Sequence, residues 1–181
     1  YAFSTENWSR PKKEVNMLMS LFKDFLKKEE STILDNNMRF RLTGQLHRLP
    51  EDVQKLVKAL TIKSSTNTGM ILNLAVSYGG RQEITDAVKT ISRQVLDGKL
   101  NPDEITEETI NKKLWTADLP DPDLLIRTSG EFRISNFMIW QIAYSEIYIT
   151  DVLWPDFDEK ELILALESFS KRKRRFGKVD E

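Results

Sequence analysis

Ten consecutive residues, Arg127-Thr128-Ser129-Gly130-Glu131-Phe132-Arg133-Ile134-Ser135-Asn136, hold the densest anion-binding chemistry in the chain. Two guanidinium groups each offer a planar fork of donors that fits phosphate oxygens, and the Ser135 hydroxyl can add a short O–H···O bond. The amides at the start of any helical turn over Asn136–Gln141 would add a further anion site. The competing reading is a solvated loop whose arginines pair with Glu131 and Asp123, which contributes little. A second polar segment, Ser4-Thr5-Glu6-Asn7-Trp8-Ser9-Arg10, offers hydroxyls, an amide, a carboxylate and a cation around one indole. It can equally be a cap and hydrophobic staple for the helix that Pro11 opens. Glu14 lies one turn from Arg10, within reach of an ion pair. Gly79-Gly80-Arg81 reads as a tight strand-to-helix turn with Arg81 bracing its neighbours.

Glu146 precedes an apolar strand. A carboxylate beside a diphosphate is repelled unless a divalent cation stands between them, and Mg²⁺ takes one or two carboxylates plus phosphate oxygens and waters. Otherwise Glu146 is an ion-pair partner for a nearby arginine. Lys171-Arg172-Lys173-Arg174-Arg175 reads as a cationic helix end, favourable with the macrodipole. It would suit nucleic acid, a phosphate or a neighbouring subunit. His47 lies in a loop with no chemistry assigned.

These residues need elements to position them. Pro11 opens a helix carrying Val15, Leu18, Phe22, Phe25 and Leu26 at helical spacing. Met38–Leu42 alternates as a strand and ends at Gly44. Pro50 opens a second helix with Val53, Leu56, Val57 and Leu60 on one face. Met70–Val76 is a largely apolar strand, the pattern of a parallel strand covered on both faces. Gly79-Gly80 ends it, and a helix through Ile84, Ala87, Val88, Ile91, Val95 and Leu96 runs to Asp97-Gly98. Thr106–Leu114 reads as a short helix. Pro120-Asp121-Pro122 breaks the chain before a strand at Asp123–Arg127. An apolar segment Phe137–Ala143, a strand Ile147–Thr150 and a last helix from about Asp158 to Phe176 follow. Strands separated by helices predict an α/β fold, a mostly parallel central sheet with helices on both faces. Ligands of such sheets bind beyond the carboxyl ends of the strands, where Ser4–Arg10, Ser77–Arg81 and Thr128–Ser135 lie.

Composition bounds the chemistry. The 181 residues carry no cysteine and one histidine, which removes disulfides, thiolate zinc sites, cysteine nucleophiles and multi-histidine metal centres. No run of about 18 apolar residues marks a membrane span. The formal charge of −1 and the lack of an aromatic-basic stripe argue against nucleic acid as a partner. The length is that of one domain. The chain opens at Tyr1 inside what reads as a strand, without an initiator Met. It therefore reads as a sequence that begins late.

Four motifs in order carry a resemblance: Tyr1-Ala2-Phe3-Ser4-Thr5-Glu6-Asn7-Trp8-Ser9-Arg10-Pro11, Tyr78-Gly79-Gly80-Arg81, Asp123-Leu124-Leu125-Ile126-Arg127-Thr128-Ser129-Gly130-Glu131 and Leu153-Trp154-Pro155-Asp156-Phe157. Together, from Tyr1 to about Gly177, the chain resembles the cis-prenyltransferases of the bacterial undecaprenyl diphosphate synthase type. The resemblance implies condensation of isopentenyl diphosphate onto farnesyl diphosphate, giving a long Z-polyprenyl diphosphate, the lipid carrier of cell-wall (peptidoglycan) synthesis. It implies Mg²⁺ as cofactor and a cytoplasmic homodimer that touches the inner membrane face through its product. Carried over, Arg127, Arg133, Ile134 and Ser135 would bind isopentenyl diphosphate. Glu146 would help place Mg²⁺, and Asn7 falls at the position assigned as proton acceptor. Ser4, Thr5, Glu6, Trp8 and Arg10 would surround the substrates, with Glu14 and Arg81 in support. A neutral amide is a poor base, so a diphosphate oxygen or a water held by Asn7 is the easier acceptor.

Two departures stand out. Ser77 replaces the Asn common in the family before Tyr-Gly-Gly-Arg. The family's Asp-Gly-Asn-Gly-Arg loop, which binds the allylic diphosphate and supplies the principal Asp for Mg²⁺, does not occur among the 181 residues. The expectation is one cis-prenyltransferase domain over residues 1–181 that lacks its N-terminal strand and that loop, inactive on its own. A non-catalytic scaffold subunit of the same fold is the alternative, and a nucleic-acid-binding α/β module is a more distant one.

Overall fold

The computed structural model of the chain describes residues 1–174 and divides it into two compact units, one from Tyr1 to Ala117 and one from Asp118 onward. In the first unit, β1 (Phe3–Ser4), β2 (Arg39–Thr43) and β3 (Ile71–Tyr78) form a parallel sheet in the order β1-β3-β2. β2 runs beside β3 from Arg39↔Ile71 to Thr43↔Ala75, and β1 meets β3 at Phe3↔Val76 and Ser4↔Tyr78 with a break in register. Successive strand residues face opposite sides, and Ala75, Val76, Ser77 and Tyr78 are all buried. The carboxyl half of β3 is therefore covered on both faces; Ile71–Leu74, which the apolar pattern also placed under cover, are only half-buried, and Met70 is exposed.

The helices of this unit are α1 (Lys12–Lys28), α2 (Glu30–Asp35), α3 (Glu51–Lys63), α4 (Gly80–Leu96) and α5 (Glu107–Asn111). Pro11 and Pro50 stand immediately before α1 and α3, where a missing N–H costs nothing. Val15, Met19 and Leu26 of α1 meet Val53, Val57 and Leu60 of α3 in a core shared with Phe3, Phe40 and Val76. Ser64 joins α3 to β2: its hydroxyl donates to the Leu60 carbonyl at 2.8 Å and accepts the buried Phe40 amide at 3.0 Å. Gly44 ends β2 at φ +136°, and a Cβ there would lie 2.1 Å from the Val76 carbonyl oxygen. Only glycine lets the 45–48 turn pass this close to β3. α5 is shorter than the expected Thr106–Leu114 helix, with Thr106 in a capping box at its start.

The second unit holds β4 (Leu124–Arg127) and β5 (Glu146–Ile149), paired in parallel from Leu124↔Glu146 to Arg127↔Ile149, and α6 (Glu159–Ser170). The Asp158 side chain caps α6 by accepting the Glu161 amide at 3.1 Å. α6 stops at Ser170, short of the expected Phe176, which lies outside the described residues. The basic run follows the helix instead of closing it. The guanidinium of Arg172 donates to Glu146 and to the Ile147 carbonyl, each at 2.9 Å, and Arg174 pairs with Asp123. Intrachain carboxylates thus take charge that the sequence left open to nucleic acid or another subunit; Arg175 is outside the described residues. Phe137–Ala143 forms turns and no regular helix, because Ser135, Asn136 and Met138 have φ of +47°, +61° and +44°. Left-handed residues cannot continue a right-handed helix, so the helix-start anion site expected at Asn136–Gln141 does not exist.

Candidate active site

In the first unit, the polar segment after β1 folds on itself. The Asn7 Oδ1 accepts the Ser4 amide at 2.8 Å, while the Ser4 hydroxyl oxygen accepts the Asn7 amide at 3.2 Å. Residues Glu6–Ser9 then make a short 3₁₀ turn, with Ser9 donating to the Glu6 carbonyl at 2.7 Å. The Asn7 oxygen is engaged by backbone and its nitrogen is only a donor, which suits holding a ligand or water oxygen better than accepting a proton. Buried Thr5 donates its hydroxyl to Glu6 at 3.1 Å and its amide to the Tyr78 carbonyl at 2.8 Å. Arg10 reaches Glu14 at 2.8 Å across the first turn of α1, both exposed to solvent, as their spacing predicts. This pair braces the segment; it is worth a few tenths of a kcal/mol, about 0.3–0.5.

The indole of Trp8 donates to the Ser77 hydroxyl at 2.8 Å and packs edge-on against Phe3, with 5.0 Å between ring centroids. It is therefore tied to β3 and not only a staple for α1. Two neighbours escaped the sequence reading. Arg48 places its guanidinium 5.1 Å from the Trp8 ring centroid, and Tyr78 donates its hydroxyl to the fully buried Glu83 of α4 at 2.5 Å. The signal for Glu83 was its position one turn behind Ala87 on the face that carries Ile91; the signal for Arg48 was the 45–48 turn placed by Gly44. Arg81, at the start of α4, is exposed.

In the second unit, Arg127 is half-buried at the end of β4, and its Nε is buried without a hydrogen-bond partner among the described residues. The loop after it is pinned by the Ser129 and Gly130 amides, which donate to the carbonyls of Val152 and Thr150 at 2.9 Å each. Both residues are left-handed, and a Cβ on Gly130 would come 2.7 Å from Asp151 Oδ1. Arg133 pairs with Glu131, and Ser135 is exposed in a turn closed by the Phe137 amide on the Ile134 carbonyl at 2.9 Å. So Arg127 stands with an uncommitted buried donor, whereas Arg133 already has a carboxylate partner. Each of these two groups of residues is assembled within its own unit.

Residues 1–177 match the family described as "Putative undecaprenyl diphosphate synthase". The chain belongs to this family. The isoprenyl transferase of Streptococcus pyogenes serotype M1 is 53% identical to it over 183 positions, covering 99% of this chain and 74% of the relative. That of Fusobacterium nucleatum is 54% identical over 179 positions, covering 99% and 75%. Among solved structures, the lavandulyl diphosphate synthase of Lavandula x intermedia, in complex with dimethylallyl diphosphate, superposes with a TM-score of 0.95 at 41% identity. It covers 98% of this chain and 77% of that one. A "probable undecaprenyl diphosphate synthase" of Campylobacter jejuni gives a TM-score of 0.85 at 37% identity, covering 98% and 81%. The isoprenyl transferase family makes the chain's chemistry prenyl transfer, on a parallel α/β scaffold.

Among the described residues no group of three or more His, Cys, Asp or Glu forms a metal cluster. Glu146 is a single hard carboxylate, 2.9 Å from the Arg172 guanidinium. It fits Mg²⁺ as one ligand of a site completed by phosphate oxygens and waters, not as a site by itself. No helix of the described residues is long and apolar enough to cross a membrane.

Proposed function

We propose that the protein elongates farnesyl diphosphate with isopentenyl diphosphate, making a long Z-polyprenyl diphosphate of the undecaprenyl type that serves cell-wall synthesis. The observation that carries this reading is the match to the undecaprenyl diphosphate synthase family over residues 1–177. Half-buried Arg127, with its buried Nε donor, supports it at the level of chemistry. Arg127, Arg133, Ile134 and Ser135 hold isopentenyl diphosphate, with the two guanidinium groups as forks on its phosphates. Ser4, Thr5, Glu6, Trp8 and Arg10 handle the substrates, and Glu14 and Arg81 brace them. Asn7 orients the oxygen that receives the proton lost from the new carbon.

Glu146 is the residue of this chain that would hold Mg²⁺. When bound, the cation offsets charge that develops on the departing diphosphate. Holding the alkene beside the allylic carbon removes an entropic barrier worth up to about 7–11 kcal/mol in the best cases. The active form is a homodimer in the cytoplasm, meeting the membrane through its product. In the full-length protein, label from isopentenyl diphosphate enters an organic-extractable product only when farnesyl diphosphate is added. No incorporation, or incorporation that ignores the allylic substrate, overturns the reading.

A further inference from the structure

Ser77 is fully buried at the end of β3, and its φ of +52° puts it in the left-handed region. A residue with a Cβ is penalised there and persists only where its surroundings hold it. What the conformation achieves is visible in its bonds. The Ser77 carbonyl accepts the Gln45 amide at 3.1 Å, and its hydroxyl oxygen accepts the Trp8 indole N–H at 2.8 Å across 69 residues of sequence. The next carbonyl, that of Tyr78, takes the Thr5 amide at 2.8 Å. One strained strand end thereby gathers both the segment after β1 and the turn after β2.

Trp8 is fixed on three sides. Its polar edge is bonded to Ser77, its ring meets Phe3, and the Arg48 guanidinium covers a face 5.1 Å from the centroid. The indole N–H has a single donor direction. The oxygen that receives it therefore helps hold the ring between Phe3 and the Arg48 cation and ties the Ser4–Arg10 segment to β3.

We propose that Ser77 is a positioning residue for prenyl transfer, acting through its hydrogen bond to Trp8. This rests on the reading that Ser4–Arg10 handles substrate. Three substitutions separate aim from fold. Ser77→Ala keeps the strain and loses the acceptor. Ser77→Gly relieves the strain and also loses the acceptor. Ser77→Asn tolerates the left-handed backbone and restores an acceptor oxygen.

The full-length protein, with its tryptophans ¹⁵N-labelled, is the subject of the test. The Trp8 indole resonance is assigned by its disappearance in Trp8→Phe, and steady-state kinetics are measured with isopentenyl and farnesyl diphosphates. In Ser77→Ala and Ser77→Gly, the Trp8 indole proton moves upfield and exchanges faster with solvent. For both, kcat/KM falls about five- to tenfold, mostly in kcat, the scale of one neutral hydrogen bond. Ser77→Asn recovers both readouts. In a Trp8→Phe background, Ser77→Ala changes kcat/KM by less than about twofold, because the two positions act as one unit. An indole resonance unchanged in Ser77→Ala, an undiminished Ser77→Ala effect on top of Trp8→Phe, or full activity in Ser77→Gly overturns the role of Ser77. A shifted resonance with unchanged kcat/KM overturns instead the substrate-handling reading of Ser4–Arg10.

Discussion

Arg127 and Arg133 have the same side chain and different circumstances. Arg133 is exposed and paired with Glu131, so part of its charge is already answered. Arg127 is half-buried, with its Nε outside any hydrogen bond among the described residues. A buried donor without a partner is costly, and a phosphate oxygen is the acceptor the proposed function supplies. Arg127→Ala in the full-length protein is therefore expected to raise the KM for isopentenyl diphosphate at least about tenfold, the loss of one charge-assisted bond. The KM for farnesyl diphosphate should stay within about twofold under the same reasoning. Arg127→Lys should recover little, since an ammonium is a point charge without the planar fork. Initial rates at varied isopentenyl diphosphate decide the matter, and an unchanged KM removes Arg127 from that role.

The elements of the first unit are tied together by a few buried polar joints. Ser64 is one, tying the end of α3 to the Phe40 amide of β2. Ser64→Ala strands that amide in the core and should cost about 1–3 kcal/mol in urea unfolding at unchanged slope. The elements themselves were legible: Pro11 and Pro50 announce α1 and α3, and the largely apolar run Met70–Val76 announces β3. Less legible were the places where a polar contact overrides the pattern. Val88 and Leu96 look like core on α4 yet are exposed, while Glu83 is fully buried because the Tyr78 hydroxyl meets its carboxylate. The basic run after Ser170 reads as a helix end until Glu146 and Asp123 are seen to draw Arg172 and Arg174 to β4 and β5. A helical turn over Asn136–Gln141 was open on the sequence, but left-handed Ser135, Asn136 and Met138 rule out a regular helix there. Arg48 was hidden in a turn whose path depends on Gly44 passing within touching distance of Val76.

At the scale of the whole molecule, one pH-dependent contribution to the stability of the fold comes from the solvent-exposed Lys23–Asp52 pair, 2.5 Å apart between α1 and α3. The hydrogen bond from Lys23, with its charge behind it, holds the Asp52 carboxyl below the ordinary carboxylate value, and Asp52 raises Lys23 by the same bond. A lowered carboxylate contributes stability above its unfolded pKa and loses it as pH falls through the folded value. A raised ammonium contributes below its unfolded pKa and loses that as pH climbs through the folded one. Unfolding curves of Asp52→Asn and the unsubstituted protein should therefore differ slightly at neutral pH, converge in acid and draw closer again in strong alkali, where the backbone bonds to Asp52 remain. A gap that persists in acid contradicts the pairing. The family was readable from four ordered motifs. The internal assembly of each unit was not, because hydrogen bonds such as Trp8–Ser77 join residues 69 apart. Successive condensation is read from the size of the product. The full-length protein is incubated with labelled isopentenyl diphosphate and farnesyl diphosphate, and the dephosphorylated products are separated by chain length. The expected result is a ladder of polyprenols that accumulates at the undecaprenyl length; label that stops after a single condensation, or no product at all, contradicts it.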